Sequence, residues 1–212
     1  MTDTLMQALE QVRVVPLVQS DDPDTALKIS EALLEGGLNV LEVVLRTDAA
    51  LECLSAIVKE FPDAHVGAGT VLSADQSKDV IARGAGFIVS PGLNEASVKV
   101  ANDAGLPILP GIATSTELQQ AWNLGLRTVK FFPAGLAGGP KMLGAFASVF
   151  RDVRFMPTGG VSAANLSEFL AIPSVLACGG SWLTPKDAIA DGNFDTITQL
   201  AKEAISIAQG RI

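Results

Sequence analysis

The sequence has no tyrosine and a single histidine, His65. Acid–base chemistry, if there is any, therefore falls on carboxylates and amines. Cysteine is scarce as well. Cys53 and Cys178 are the two thiols, far apart in the chain. That excludes a disulfide framework and any zinc-ligand spacing, and no cluster of histidine with carboxylates suggests a metal site. Basic residues are the minority charge, 15 Lys and Arg against 23 Asp and Glu, for a net charge of −8. A broad surface for nucleic acid or an anionic membrane is excluded on that balance. An anionic small molecule would need a locally cationic or amide-lined pocket. No apolar run approaches the ~18 residues of a membrane span. Met1 to Gln11 lacks the basic start and apolar run of a secretory signal. A cytoplasmic protein with reduced thiols is expected.

What the sequence does have is a sizeable apolar fraction, 48% of 212 residues, with 20 Gly and 11 Pro spread along it. That is enough for a folded core and excludes a disordered chain. Short β-like runs alternate with amphipathic stretches of helix length from end to end. The runs are Val12–Val18, Val40–Leu45, His65–Ala68, Phe87–Ser90, Ile108–Pro110, Thr128–Phe132, Arg154–Pro157 and Val175–Gly179. Helix starts are legible at Asp22-Pro23 and at Ser73, with Gln76 at capping-box spacing. Helix ends are legible at Gly36-Gly37, Gly84 and Gly105. Alternation of this kind predicts parallel strands. The count of eight and the shortness of each run favour a single-domain α/β fold over residues 1–212, a (β/α)8 TIM barrel. An open doubly wound sheet would also alternate. In such a barrel the chemistry sits at the C-terminal ends of the strands.

Seven of the eight lysines lie in helical or loop stretches; Lys130 alone sits inside an apolar strand, Thr128-Val129-Lys130-Phe131-Phe132. If Val129 and Phe131 pack outward on helices, Lys130 points inward. A buried ammonium costs several kcal/mol unless it is paired or neutralised. A neutral amine is what attacks a ketone. In Val40 to Arg46, alternation puts Glu42 and Arg46 on one face. A carboxylate beside a lysine suits proton transfer, although an inert ion pair would satisfy the same pattern. Arg46, at the strand end, could grip a carboxylate through two parallel hydrogen bonds.

Two glycine pairs, Gly159-Gly160 and Gly179-Gly180, end the last two runs, and Ser181 adds a hydroxyl. Those strand ends are a frequent phosphate site in such barrels, where backbone N–H groups point at the anion. Simple turn geometry is the competing explanation. His65 opens the third run, at the opposite end from the expected chemistry, and is expected to be structural. Cys53, Cys178, Trp122 and Trp182 are expected to be packing residues.

At these residues the sequence resembles the 2-keto-3-deoxy-6-phosphogluconate (KDPG) and 4-hydroxy-2-oxoglutarate (KHG) aldolase family. The matching segments are Leu41 to Thr47, Val66 to Leu72, Val89 to Gly92, Leu109 to Gly111, Val129 to Ala134, Met156 to Val161 and Cys178 to Trp182. The set in this order is specific, although no single piece is. The resemblance implies a class I aldolase, with Lys130 as the Schiff-base lysine and Glu42 as the acid–base carboxylate. It implies that Arg46 and Thr70 hold the carboxylate of the pyruvate half, and that Pro91 and Phe132 form the wall. Thr158 matches a position tied to stereochemical preference, and Gly159, Gly160, Gly179, Gly180 and Ser181 match the phosphate end. No cofactor or metal is implied. The implied substrate is a small 2-keto-3-deoxy sugar acid phosphate of the Entner-Doudoroff pathway, with 4-hydroxy-2-oxoglutarate as a second, and the implied assembly is a homotrimer. A sugar-phosphate isomerase or epimerase, or a non-catalytic phospho-ligand-binding barrel, would share the barrel and glycine loops without needing an imine lysine.

Overall fold

A computed structural model of the chain describes residues 2–211; Met1 and Ile212, the two ends of the expected domain span, lie outside the described residues. The first half runs α1 (Thr2–Val12), β1 (Val14–Val18), α2 (Pro23–Glu35), β2 (Val40–Val44), α3 (Ala50–Glu60), β3 (His65–Gly69), α4 (Ala74–Ala82), β4 (Ile88–Val89) and α5 (Glu95–Asp103). It continues through β5 (Ile108–Leu109), β6 (Gly111–Ile112), α6 (Ser115–Asn123), β7 (Thr128–Phe131), α7 (Gly139–Val149), β8 (Arg154–Pro157) and α8 (Leu166–Leu170). The chain ends with β9 (Cys178–Gly180), a single 3₁₀ turn (Ser181–Leu183), α9 (Lys186–Ala190) and α10 (Phe194–Ala208).

Every strand pairing is parallel. One sheet has the order β5-β4-β3-β2-β1-β9 and a second has β6-β7-β8. Single parallel bridges, Phe155 to Val175 and Thr158 to Gly179, relate the β8 segment to the β9 segment. A parallel sheet flanked by helices is buried on both faces, so its strands read as nearly continuous apolar runs. All five residues of β1 and all five of β2 are buried accordingly.

Each of the eight expected runs contains strand, and the boundaries shift for identifiable reasons. Val12 closes α1 instead of opening β1; Arg13, at φ 56°, turns the chain between them. The Arg13 guanidinium then donates to the carbonyls of Leu170 and Val175 at 3.1 and 3.3 Å. The run at Ile108 continues to Ile112 but is divided at Pro110, which has no N–H for the ladder. The Pro110 carbonyl still accepts from Lys130 N–H at 2.9 Å.

The helices dock by their apolar faces. The Phe146 ring of α7 packs edge-on against Phe131 of β7 at 5.9 Å and stacks on Phe155 of β8 at 6.4 Å. Each such buried ring contributes about 1.5–3 kcal/mol. The N-caps fall where expected, Asp22 accepting from Thr25 N–H and Ser73 from Gln76 N–H. The Gln76 side chain accepts from Leu72 N–H, one residue earlier than a reciprocal box would have it. Among the described residues no helix is long and apolar enough to cross a membrane.

Candidate active site

Parallel pairing puts the C-terminal ends of neighbouring strands on one side, and the candidate residues gather there. Glu42 lies in β2 and Lys130 in β7. Arg46, Thr70, Pro91, Phe132, Thr158 and Ser181 each follow a strand within two residues, and Gly179 and Gly180 end β9. The other seven lysines are all helical and exposed.

Lys130 and Glu42 meet although 88 residues separate them: Lys130 Nζ stands 3.4 Å from Glu42 Oε1. Both side chains are buried. The separation exceeds the ~2.7–2.9 Å of a tight ammonium–carboxylate bond, so the amine is near the carboxylate without being clamped by it. The Lys130 nitrogen also lies 5.2 Å from the centre of the Phe132 ring. Glu42 Oε2 is buried and has no hydrogen-bond partner among the described residues. A buried acceptor left unpaired costs about 1–3 kcal/mol, and is open to a hydrogen bond from whatever enters.

Arg46 Nε donates to Thr70 Oγ1 at 3.1 Å, leaving the terminal guanidinium nitrogens without a partner among the described residues. Arg46 and Ser181 line a cavity of about 760 Å³, walled also by Leu17, Ser20, Thr25 and Thr184. That volume is ample for a small ligand. Lys130 and Glu42 do not line this cavity. The loop from Gln19 to Asp22 forms part of its wall; sequence reasoning read that loop only as a helix start.

The two glycine pairs differ. Gly159 and Gly160 hold φ of +87° and +82°, a left-handed turn that favours glycine. The Gly159 carbonyl accepts from Gly135 N–H at 2.8 Å and the Gly160 carbonyl from Asn165 Nδ2 at 2.8 Å. Gly179 and Gly180 are strand residues in which a side chain is excluded by neighbours. A Cβ at Gly179 would run into Thr158, and one at Gly180 would lie 2.5 Å from the Trp182 ring. Pro91 is half-buried, with its carbonyl packed over Gly111.

The remaining singled-out residues lie elsewhere or are inert. His65 is half-buried at the N-terminal start of β3, beside Phe61 and Phe87. Burial pushes the Cys178 thiol up to about 12, against a weaker opposing pull from Arg13. Burial likewise raises Cys53. Trp122 is exposed and not a packing residue: its Nε1 donates to Asp152 at 3.1 Å under the Arg127 guanidinium. Gly69, next to Thr70, carries no chemistry of its own in the sequence beyond its segment; in the structure it abuts Glu42.

Likeness to known proteins places this chain among the aldolases. It belongs to the KDPG and KHG aldolase family, whose sequence profile matches residues 5–200. The 2-dehydro-3-deoxy-phosphogluconate aldolase of Treponema pallidum (strain Nichols) is 45% identical over 204 residues, 96% of this chain and 97% of the relative. The KHG/KDPG aldolase of Escherichia coli (strain K12) is 48% identical over 196 residues, 92% of each. Among solved structures, the KDPG aldolase of Legionella pneumophila, with pyruvate captured at low pH as a covalent carbinolamine intermediate, matches with a TM-score of 0.90 at 40% identity. The match covers 93% of this chain and 96% of that one. The aldolase of Zymomonas mobilis ZM4 with 3-phosphoglycerate matches at 0.87 and 43% identity, over 95% and 94% of the two chains.

Proposed function

We propose that this chain is a class I aldolase that cleaves KDPG to pyruvate and D-glyceraldehyde 3-phosphate, and 4-hydroxy-2-oxoglutarate to pyruvate and glyoxylate. The observation that carries it is the buried pair, Lys130 Nζ at 3.4 Å from Glu42 Oε1, with Oε2 unpartnered. Lys130 as a free amine attacks the C2 ketone, and water leaves with a proton from Glu42, forming a protonated imine. The Glu42 carboxylate takes the C4 hydroxyl proton as the C3–C4 electron pair moves into the imine, which releases the aldehyde. Glu42 returns the proton to C3 of the enamine, and water hydrolyses the imine to pyruvate and free Lys130. The imine supplies the electron sink, and EDTA should leave turnover unchanged.

Arg46 and Thr70 hold the carboxylate of the pyruvate half. Pro91 and Phe132 wall the reacting carbons, and Thr158 bears on stereochemical preference at the new carbinol. The phosphate sits at the end formed by Gly159, Gly160, Gly179, Gly180 and Ser181, where backbone N–H groups and a hydroxyl are donors that carry no titrating charge. The two parallel sheets are read as one (β/α)8 barrel in a single domain. Support comes from the bridges Phe155 to Val175 and Thr158 to Gly179 and from the Pro110 carbonyl's bond to Lys130 across the β5–β6 break. A homotrimer, a cytoplasmic location and a place in the Entner-Doudoroff pathway belong to the same proposal, supported by the family resemblance and by two unpaired thiols.

Pyruvate with borohydride tests the assignment. The protein should gain one reduced-imine mass per chain, and digestion should place it on Lys130. Mass on another lysine would reject Lys130. No added mass would favour an isomerase or a phospho-ligand binder, which need no imine.

A further inference from the structure

Strand β3 reads His65-Val66-Gly67-Ala68-Gly69. Residues two apart share a face, so Gly67 and Gly69 present bare backbone on the same side. Glu42 pairs with Gly67 and Val44 with Gly69 in the parallel register. Side chains lean along their strand, and the Glu42 carboxylate reaches forward over Gly69. A Cβ added at Gly69 would lie 2.6 Å from Glu42 Cγ and 2.7 Å from its Cδ. A Cβ at Gly67 would instead meet the Phe87 ring at 2.5 Å. Neither glycine has a positive φ, so space rather than backbone conformation excludes a side chain. Glycine weakens a strand interior and is found where something must approach closely. At Gly69 the approaching group is a fully buried carboxylate.

We propose that Gly69 is a positioning residue for the proton relay. Its bare backbone is the floor on which the Glu42 carboxylate lies, directing Oε1 toward Lys130 and leaving Oε2 open to the substrate. The inference rests on Glu42 being the relay. Proton transfer needs heavy atoms within about 2.6–3.2 Å, and a misplacement near 1 Å can cost about a hundredfold. One methyl group at Gly69 is enough to move the carboxylate that far. The three atoms nearest a Gly69 Cβ all belong to Glu42 and none to Lys130, so imine formation should still reach completion.

The test compares pyruvate trapping by borohydride with deuterium exchange at the pyruvate methyl group, which reports the proton step at C3. Gly69→Ala should trap pyruvate fully and exchange at least ~10-fold more slowly, with KM within about threefold. Gly67→Ala crowds Phe87 and should lower thermal stability while keeping exchange within about threefold per folded chain. Glu42→Asp, one methylene shorter, should slow exchange alone, but in the Gly69→Ala background it should leave exchange unchanged or faster. Normal exchange in Gly69→Ala, an equal loss in Gly67→Ala, or multiplied losses in the double variant would overturn the proposal. If Gly69→Ala does not fold, recovery of a cooperative melt in the double variant supports it, and no recovery overturns it. Failure of the unmodified enzyme to trap pyruvate would instead overturn the aldolase assignment, and the role of Gly69 with it.

Discussion

Arg46 Nε donates to Thr70 Oγ1 at 3.1 Å, and Thr70 holds this position with φ at 59°. A left-handed backbone is unusual for a β-branched residue and costs on the order of 1–3 kcal/mol. That backbone presents the hydroxyl to the guanidinium, the group proposed above to receive the substrate carboxylate. Thr70→Gly should therefore hold or raise the melting temperature while raising KM for both substrates about tenfold or more. Calorimetry and steady-state kinetics check the two halves. A fall in stability with unchanged KM would remove Thr70 from the site.

Glu42→Gln keeps the shape of the side chain and removes its capacity to take a proton. The variant should still bind pyruvate and turn over about 100-fold or more slowly, the usual contribution of a positioned acid–base group. Near-normal turnover would assign the relay to another group.

The phosphate end is tested at Gly160 in preference to Gly180. A Cβ at Gly180 meets Trp182 first, which would mix packing with binding, whereas at Gly160 the nearest group is the Gly135 backbone at 3.1 Å. With φ at +82°, Gly160→Ala shifts the turn and its N–H. KM for KDPG should rise at least several-fold, and KM for 4-hydroxy-2-oxoglutarate much less. Equal rises in a folded variant would place the phosphate elsewhere.

Glu117 caps α6 and responds to pH. Its carboxylate accepts from Ala113 N–H at 2.8 Å, and from Thr114 N–H at 2.9 Å and Oγ1 at 3.0 Å. The Ala113 bond leads in holding its carboxyl below the ordinary glutamate value, with partial burial opposing. A depressed carboxyl stabilises the fold above the unfolded value of ~4.3 and loses that contribution as pH falls through the folded value. Glu117→Gln should cost roughly 0.5–1 kcal/mol at pH 7, and the gap between the two melting temperatures should close toward pH 3.

Both thiols should be silent in the native protein. Cys178, pushed up to about 12, and Cys53, also raised by burial, hold little thiolate at neutral pH. Ellman titration should find no thiol until denaturant is added, and then two per chain. Fast native labelling would mean that α3 or β9 opens readily.

Some of the architecture is local in origin and is legible in the sequence. Alternation of buried runs with capped helices reports parallel strands, because a strand covered on both faces must be apolar along its length. Lys130 stood out for the same reason, an ammonium inside such a run. Glu42 and Arg46 followed from period-two alternation. The helix α1 before β1 leaves no such mark, since it follows no strand and opens no alternating unit. The break at Pro110 leaves none either, because a missing N–H matters only where a neighbouring strand would accept it.

Periodicity and the cost of a lone buried charge act within a few residues, so the parallel α/β alternation and the residue types available for chemistry can be read along the chain. What those residues touch cannot, because it depends on the packed fold. The contact between Glu42 and Lys130 spans 88 positions and joins strands of different sheets. Which glycine serves a turn, at Gly159 and Gly160, and which makes room for a neighbour, at Gly69, Gly179 and Gly180, depends on groups brought in from distant strands and loops. Such contacts follow from register and from how the sheets face one another, and neither is encoded in the order of adjacent residues.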